Sequence, residues 1–166
     1  DGLYPNDPFF QICKDKNCRH IVTFKPGNLP SVWEEVESLL KLTSNNTHTD
    51  KRYEKTKDGS REIESHYQWL NDIDYQNHKI NWIKCVETKT DLKTGECVIN
   101  TFVHVTDFPL TLKEATRISH TGRLRWKIEN EGFNIQKNEG YELQHKYSRV
   151  SFLAKKTIIN VCSWRI

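Results

Sequence analysis

The sequence predicts an α/β fold on three observations: a helix-then-strand unit opens the chain, β-like runs fill its middle, and a helical pattern with its own cap signal follows them. At 166 residues the chain has the length of one ordinary domain, enough to bury a sizeable core.

Each element has a local reason. Asn6 or Asp7 can cap a first helix whose opening turn accepts Pro8, and Phe9, Ile12 and Cys13 recur at helical spacing within it. Residues 19–24, with Ile21, Val22 and Phe24, read as a buried strand. After the turn at Pro26-Gly27-Asn28, Ser31 and Glu34 make a capping box ahead of Val36, Leu39, Leu40 and Leu42, which specifies a second helix. Residues 43–60 are almost wholly polar and carry no apolar period, so they read as a solvent-exposed linker with a hairpin turn at Asp58-Gly59.

Three runs at 61–73, 79–88 and 96–106 then form an antiparallel meander, the last two joined through Gly95. In the middle run Ile80, Trp82, Lys84 and Val86 alternate with Asn81, Ile83, Cys85 and Glu87, so both faces of that strand should be covered. Thr111 and Glu114 form another capping box. It opens a helical pattern running to about residue 137, with an interruption at Thr121-Gly122 and a stop at Gly140. Tyr141 and the residues after it show only weak periodicity.

Composition narrows the setting more than the function. The net charge of +3, from 25 basic and 22 acidic residues, is weaker than a dedicated DNA-binding domain shows. Two local clusters stand out, Lys51, Arg52, Lys55 and Lys57 in one and Arg117, Arg123, Arg125 and Lys127 in the other; a solvated surface is the commoner use of either. The five cysteines, Cys13, Cys18, Cys85, Cys97 and Cys162, are scattered without a C-x-x-C pair, which argues against a disulfide framework or a zinc site and for a reducing cytosol. No apolar run approaches the roughly 20 residues of a membrane span. The start at Asp1 and the absence of methionine suggest that a segment preceded this one. The sequon Asn45-Asn46-Thr47 is too short a match to argue for secretion.

On a helical wheel of about 100° per residue, residues 124–137 separate into three groups. Leu124, Ile128 and Ile135 form an apolar stripe, Trp126 and Phe133 lie nearly opposite, and Arg125, Glu129, Gly132 and Gln136 fill the band between. A carboxylate flanked by apolar surface needs a cation, which is either Arg125 in an i,i+4 ion pair or a bound metal. Periodicity alone favours the ion pair.

The string Arg123-x-Arg125-Trp126-Lys127-Ile128-Glu129-Asn130-Glu131-Gly132-Phe133 resembles the R-x-R-W-x-I-E-x-x-x-F block that bears the final acidic residue in a large group of DDE insertion-sequence transposases. Asp1-Gly2-Leu3-Tyr4, followed by Phe9-Phe10-x-Ile12-Cys13 and Phe24-Lys25, resembles the segment with their second catalytic aspartate. Gly140-Tyr141-x-Leu143-x-His145-x-Tyr147-Ser148 is similar to the segment after the glutamate helix. Related proteins carry a tyrosine and a lysine where this chain has Gly122 and Gln136, and Lys137 stands one residue late.

The resemblance implies an RNase H-like core interrupted by an antiparallel β insertion. On this reading residues 1–42 belong to the core, 43–60 are the polar linker, 61–107 the insertion and 108–166 the helical end of the core. It implies Asp1 and Glu129 as catalytic and metal-binding carboxylates, with Arg125, Lys137 and Trp69 toward DNA. Trp69 and Trp82 are candidates for stacking on an unpaired base, although core packing is the commoner use of a tryptophan. Scattered His104, His120 and His145 read as structural, and Tyr4 is expected to pack beneath the metal site. Two magnesium or manganese ions are the implied cofactors, because hard carboxylate oxygens suit them. The implied partners are double-stranded DNA at transposon ends and at the target, engaged as a homodimer in the bacterial cytoplasm and nucleoid. With the family's first aspartate missing, the chain alone is expected to be inactive. The alternatives are a non-catalytic DNA-binding or interaction remnant and a metal-dependent nuclease.

Overall fold

The computed structural model describes residues 4–42, 45–56, 59–127 and 131. The chain divides into two compact units, residues 1–123 and 124–166, and the architecture below is that of the first. Its described elements run α1 (Asp7–Asp15), β1 (Ile21–Thr23), α2 (Pro30–Leu42), β2 (Thr47–Thr56), β3 (Gly59–Tyr75), β4 (His78–Asp91) and β5 (Cys97–Thr106), followed by α3 (Leu112–Lys127), whose last turn enters the second unit. The class is mixed α/β. Among the described residues all strand pairs are antiparallel, in a five-stranded sheet of order β1-β5-β4-β3-β2.

Cap chemistry decides where the helices begin. The Asn6 side chain accepts a hydrogen bond from the Phe9 N–H at 2.9 Å, with Pro8 in the first turn of α1. Thr111 Oγ1 accepts from the Glu114 N–H at 3.4 Å to open α3. The expected Ser31 cap is corrected: α2 starts at Pro30, and the Leu29 carbonyl accepts from Val32 and Trp33. A proline at the first helical position has its φ already set and no N–H to satisfy, so it takes the start from the serine.

The meander is present, and it is longer than expected. Residues 43–60 are corrected from a linker to mostly strand, since β2 pairs with β3 continuously from Thr47↔Gln68 to Thr56↔Gly59. An edge strand with neither face buried needs no apolar alternation, so its residues gave no periodic signal. β1 pairs with β5 at Val22↔Val105, so the strand of the first segment joins the meander in one sheet. The last hairpin closes through Gly95 at φ 75°, with the Gly95 N–H on the Asp91 carbonyl at 2.8 Å.

The two faces of this sheet carry different cores. One packs Phe10 of α1 and Val32 and Val36 of α2 on Val22, Leu70, Ile73, Ile80, Trp82 and Val105. The other packs Ala115 and Ile118 of α3, with Leu110, on Tyr67, Trp69, Ile83 and Cys85. β4 is thus buried on both sides, as its alternation required. A register shift between Leu70 and Ile73 is held by side-chain amides: Asn71 exchanges two 2.8 Å hydrogen bonds with the backbone of Leu110, and Asn81 Oδ1 accepts from the Asp72 N–H.

Candidate functional site

The site begins where α3 meets the sheet, because the Arg123-x-Arg125-Trp126 string lies on its last two turns. The break expected at Thr121-Gly122 is corrected: α3 continues through both residues to Lys127. Gly122 serves close approach instead. A Cβ built there would stand 2.5 Å from His104 Nε2 and 2.6 Å from His104 Cδ2, so only glycine lets the helix sit this near β5.

One residue on, Arg123 enters a charged cluster. Its Nη1 donates to Glu87 Oε2 at 2.8 Å, and its guanidinium lies 4.8 Å from the centroid of the Phe102 ring. Glu87 is 2% exposed. It also meets Arg52 of β2 and Lys89 of β4, each at 3.3 Å. Burial alone pushes the Glu87 carboxyl up. The hydrogen bond and charge of Arg123, with Lys89 behind them, outweigh it and hold the group below the ordinary carboxylate range. Burial, aided by the Arg123 charge, lowers the His104 pKa to about 4 against the pull of a hydrogen bond with the Gly122 backbone, so its ring is neutral at pH 7.

Trp69 is corrected as a base-stacking residue, since it is 6% exposed and packed in the cluster under α3, leaving no free face for a base. Trp82, 1% exposed, is core as well. Arg125 is exposed on the last turn of α3. Tyr4 is 56% exposed and contacts Phe9, with ring centroids 6.1 Å apart. Asp1, Glu129 and Lys137 lie outside the described residues. Among the described residues no group of three or more His, Cys, Asp and Glu side chains is arranged to hold a metal.

The basic run around Lys51 dissolves in the strand, whose alternation sends neighbours to opposite faces. Lys51 pairs with Glu62 and Glu64, and Arg52 with Glu54 and Glu87. The charges of these two residues are therefore met within the sheet. Sequence reasoning missed Glu87, although the signal was there: an acidic residue in phase with buried Ile83 and Cys85 on a covered strand.

A second polar cluster lies on the opposite side, around a cavity of about 300 Å³ lined by Cys13, Cys18, His20, His78 and Asp107 among others. Arg19 Nε is 2.8 Å from Asp107 Oδ2, and His78 Nε2 is 2.9 Å from Asp7 Oδ1. His20, its side chain 9% exposed, has hydrogen-bond partners on neither ring nitrogen. Burial lowers its pKa against the opposing charge of Asp107. No described helix is long and apolar enough to cross a membrane. Compared with known proteins, the chain matches no protein family, and it matches no curated protein.

Proposed function

We propose that this chain is part of a DDE transposase with an RNase H-like core, and that Asp1 and Glu129 are two of its metal-binding carboxylates. The observation that carries the reading is the block from Arg123 to Phe133, in which two arginines, a tryptophan and a glutamate recur in the order and spacing of that family. The seating of α3 supports it. Gly122 on His104 and Arg123 on Glu87 fix the rotation of α3 on the sheet up to the residue where the block begins.

Asp1 and Glu129 offer hard oxygen donors, the chemistry that magnesium and manganese prefer over softer-site metals. Such ions, when bound, activate the attacking oxygen and stabilise the leaving one in phosphoryl transfer. Arg125, exposed on α3, suits a DNA phosphate or the orientation of Glu129, and Lys137 suits the backbone. The partners are then double-stranded transposon ends and target DNA, bound by a homodimer in the bacterial cytoplasm.

The test is Glu129→Ala in the protein joined to a segment that supplies the remaining aspartate, assayed with magnesium on end-bearing DNA. Outer-shell partners of metals already cost about 10–100-fold when removed, so losing a ligand should lower strand cleavage by about 100-fold or more while DNA binding persists. Intact cleavage in the variant removes Glu129 from the chemistry. Cleavage without joined products in the parent protein identifies a nuclease, and binding without cleavage a non-catalytic remnant.

A further inference from the structure

We infer that Cys13 and Cys18 form a dithiol site that undergoes exchange with small disulfides, Cys18 as the entering thiol and Cys13 as the resolving one. The pairing comes from how α1 ends. The Cys18 N–H donates to the Cys13 carbonyl at 2.8 Å and the Asn17 N–H to the Lys14 carbonyl at 3.1 Å, with Asn17 left-handed at φ 51°. These are the two crossed bonds of a Schellman cap, a motif that brings together the side chains of the third-last helical residue and the second residue beyond the cap. Here both of those residues are cysteines.

The short bond also limits their separation. With standard backbone dimensions it holds the two Cα atoms no more than about 6.7 Å apart, inside the range that disulfides span. Both residues line the same cavity, whose wall includes the His20 imidazole, with no hydrogen bond on either ring nitrogen. Cys13 feels its neighbour: burial first, then the Cys18 sulfur and Asp107, raise the Cys13 pKa. Cys18 is exposed and Cys13 half-buried, which sets the order of attack. The Cys18 thiolate attacks a disulfide such as oxidised glutathione, forming a mixed disulfide and releasing one glutathione thiolate. Cys13, losing its proton, then attacks the Cys18 sulfur, closing the Cys13–Cys18 bond and releasing the second glutathione. Two protein thiols are oxidised and one glutathione disulfide is reduced to two thiols.

The experiment equilibrates the chain with graded ratios of oxidised to reduced glutathione, quenches it by alkylation, and maps every cysteine after cleavage at Lys14 and Lys16. In the wild type the Cys13 and Cys18 thiols should disappear together, as one disulfide-linked peptide pair. Cys97 is also exposed and serves as the comparison: it should take up glutathione singly. In Cys13→Ser the Cys18–glutathione adduct should accumulate several-fold above wild type. The inference is overturned if wild-type Cys18 stays glutathionylated while Cys13 remains alkylatable, or if Cys13→Ser leaves the adduct level unchanged. Should Cys13→Ser fail to fold, the wild-type map decides alone.

Discussion

The two faces of the sheet in the 1–123 unit solve the same problem by different means. Under α2 the core is apolar and aromatic, with Phe24 stacked on Trp33 at 4.8 Å and Trp33 edge-on to Trp82 at 6.4 Å. Under α3 buried apolar residues share the surface with Ser65, Glu87, His104 and Ser119. Apolar contact is strong and non-directional, so it holds helices down without fixing their azimuth. A buried carboxylate facing an arginine, beside a glycine resting on an imidazole, is directional. The first face supplies stability, and the second supplies a defined rotation for α3, on which the motif begins.

That contrast is sharpest at Trp82. Trp82→Ala should cost about 3–5 kcal/mol, read as a lower urea midpoint, because the cavity opens in the middle of the apolar core. Trp82→Phe should cost less than that, since it also removes an indole N–H with no hydrogen-bond partner. Equal losses in the two variants would mean that this face depends on a specific contact rather than on volume.

Acid should act on the other face. His104 is held near 4 in the folded protein, against an ordinary imidazole value of about 6.5, so between these values the unfolded chain binds more protons. Stability should therefore fall as pH drops from about 6.5 to about 4, by roughly 3 kcal/mol from this residue. Glu87, also depressed, adds a loss in the same direction as pH falls below the ordinary carboxylate range. NMR titration of the His104 ring isolates its share: protonation near 6.5 would break the comparison.

Arg123→Met should cost about 1.5–3 kcal/mol in chemical denaturation, the worth of a charge-assisted hydrogen bond. The loss is not larger because Arg52 and Lys89 still face Glu87. Adding Glu87→Leu should recover much of it, since apolar replacement of a whole buried pair is often neutral or better. Absence of recovery would show that the surrounding groups, not the pair, set the energy.

How much of this was legible depends on whether a residue's signal is local. The Asn6 and Thr111 caps and the alternation of β4 were readable because the causes lie within a few residues. β2 was not, because an edge strand takes its order from backbone pairing with β3, across a register no single segment displays. Ser31 was misread because Pro30 imposes the helix start more strongly than a serine cap does. Trp69 could be read either as core or as a base platform, and only α3 above it decides. Asp1 and Glu129 were legible only through their spacing in a motif, and they lie outside the described residues.

Gly122 tests the directional face with the smallest change. In an isolated helix Gly→Ala gains about 1 kcal/mol, so an ordinary exposed position would be stabilised. Here the added methyl lands on the His104 ring, which is only 3% exposed. Overpacking of that kind costs about 1–3 kcal/mol, so the net effect of Gly122→Ala should be a loss of about 1 kcal/mol. His104→Ala in the same chain makes room for the methyl, and the alanine at 122 should then become neutral or stabilising. A double-mutant cycle reads the sign. If Gly122→Ala stabilises the wild-type background, α3 is free to lift from β5, and the claim that this face sets the rotation of the motif helix fails.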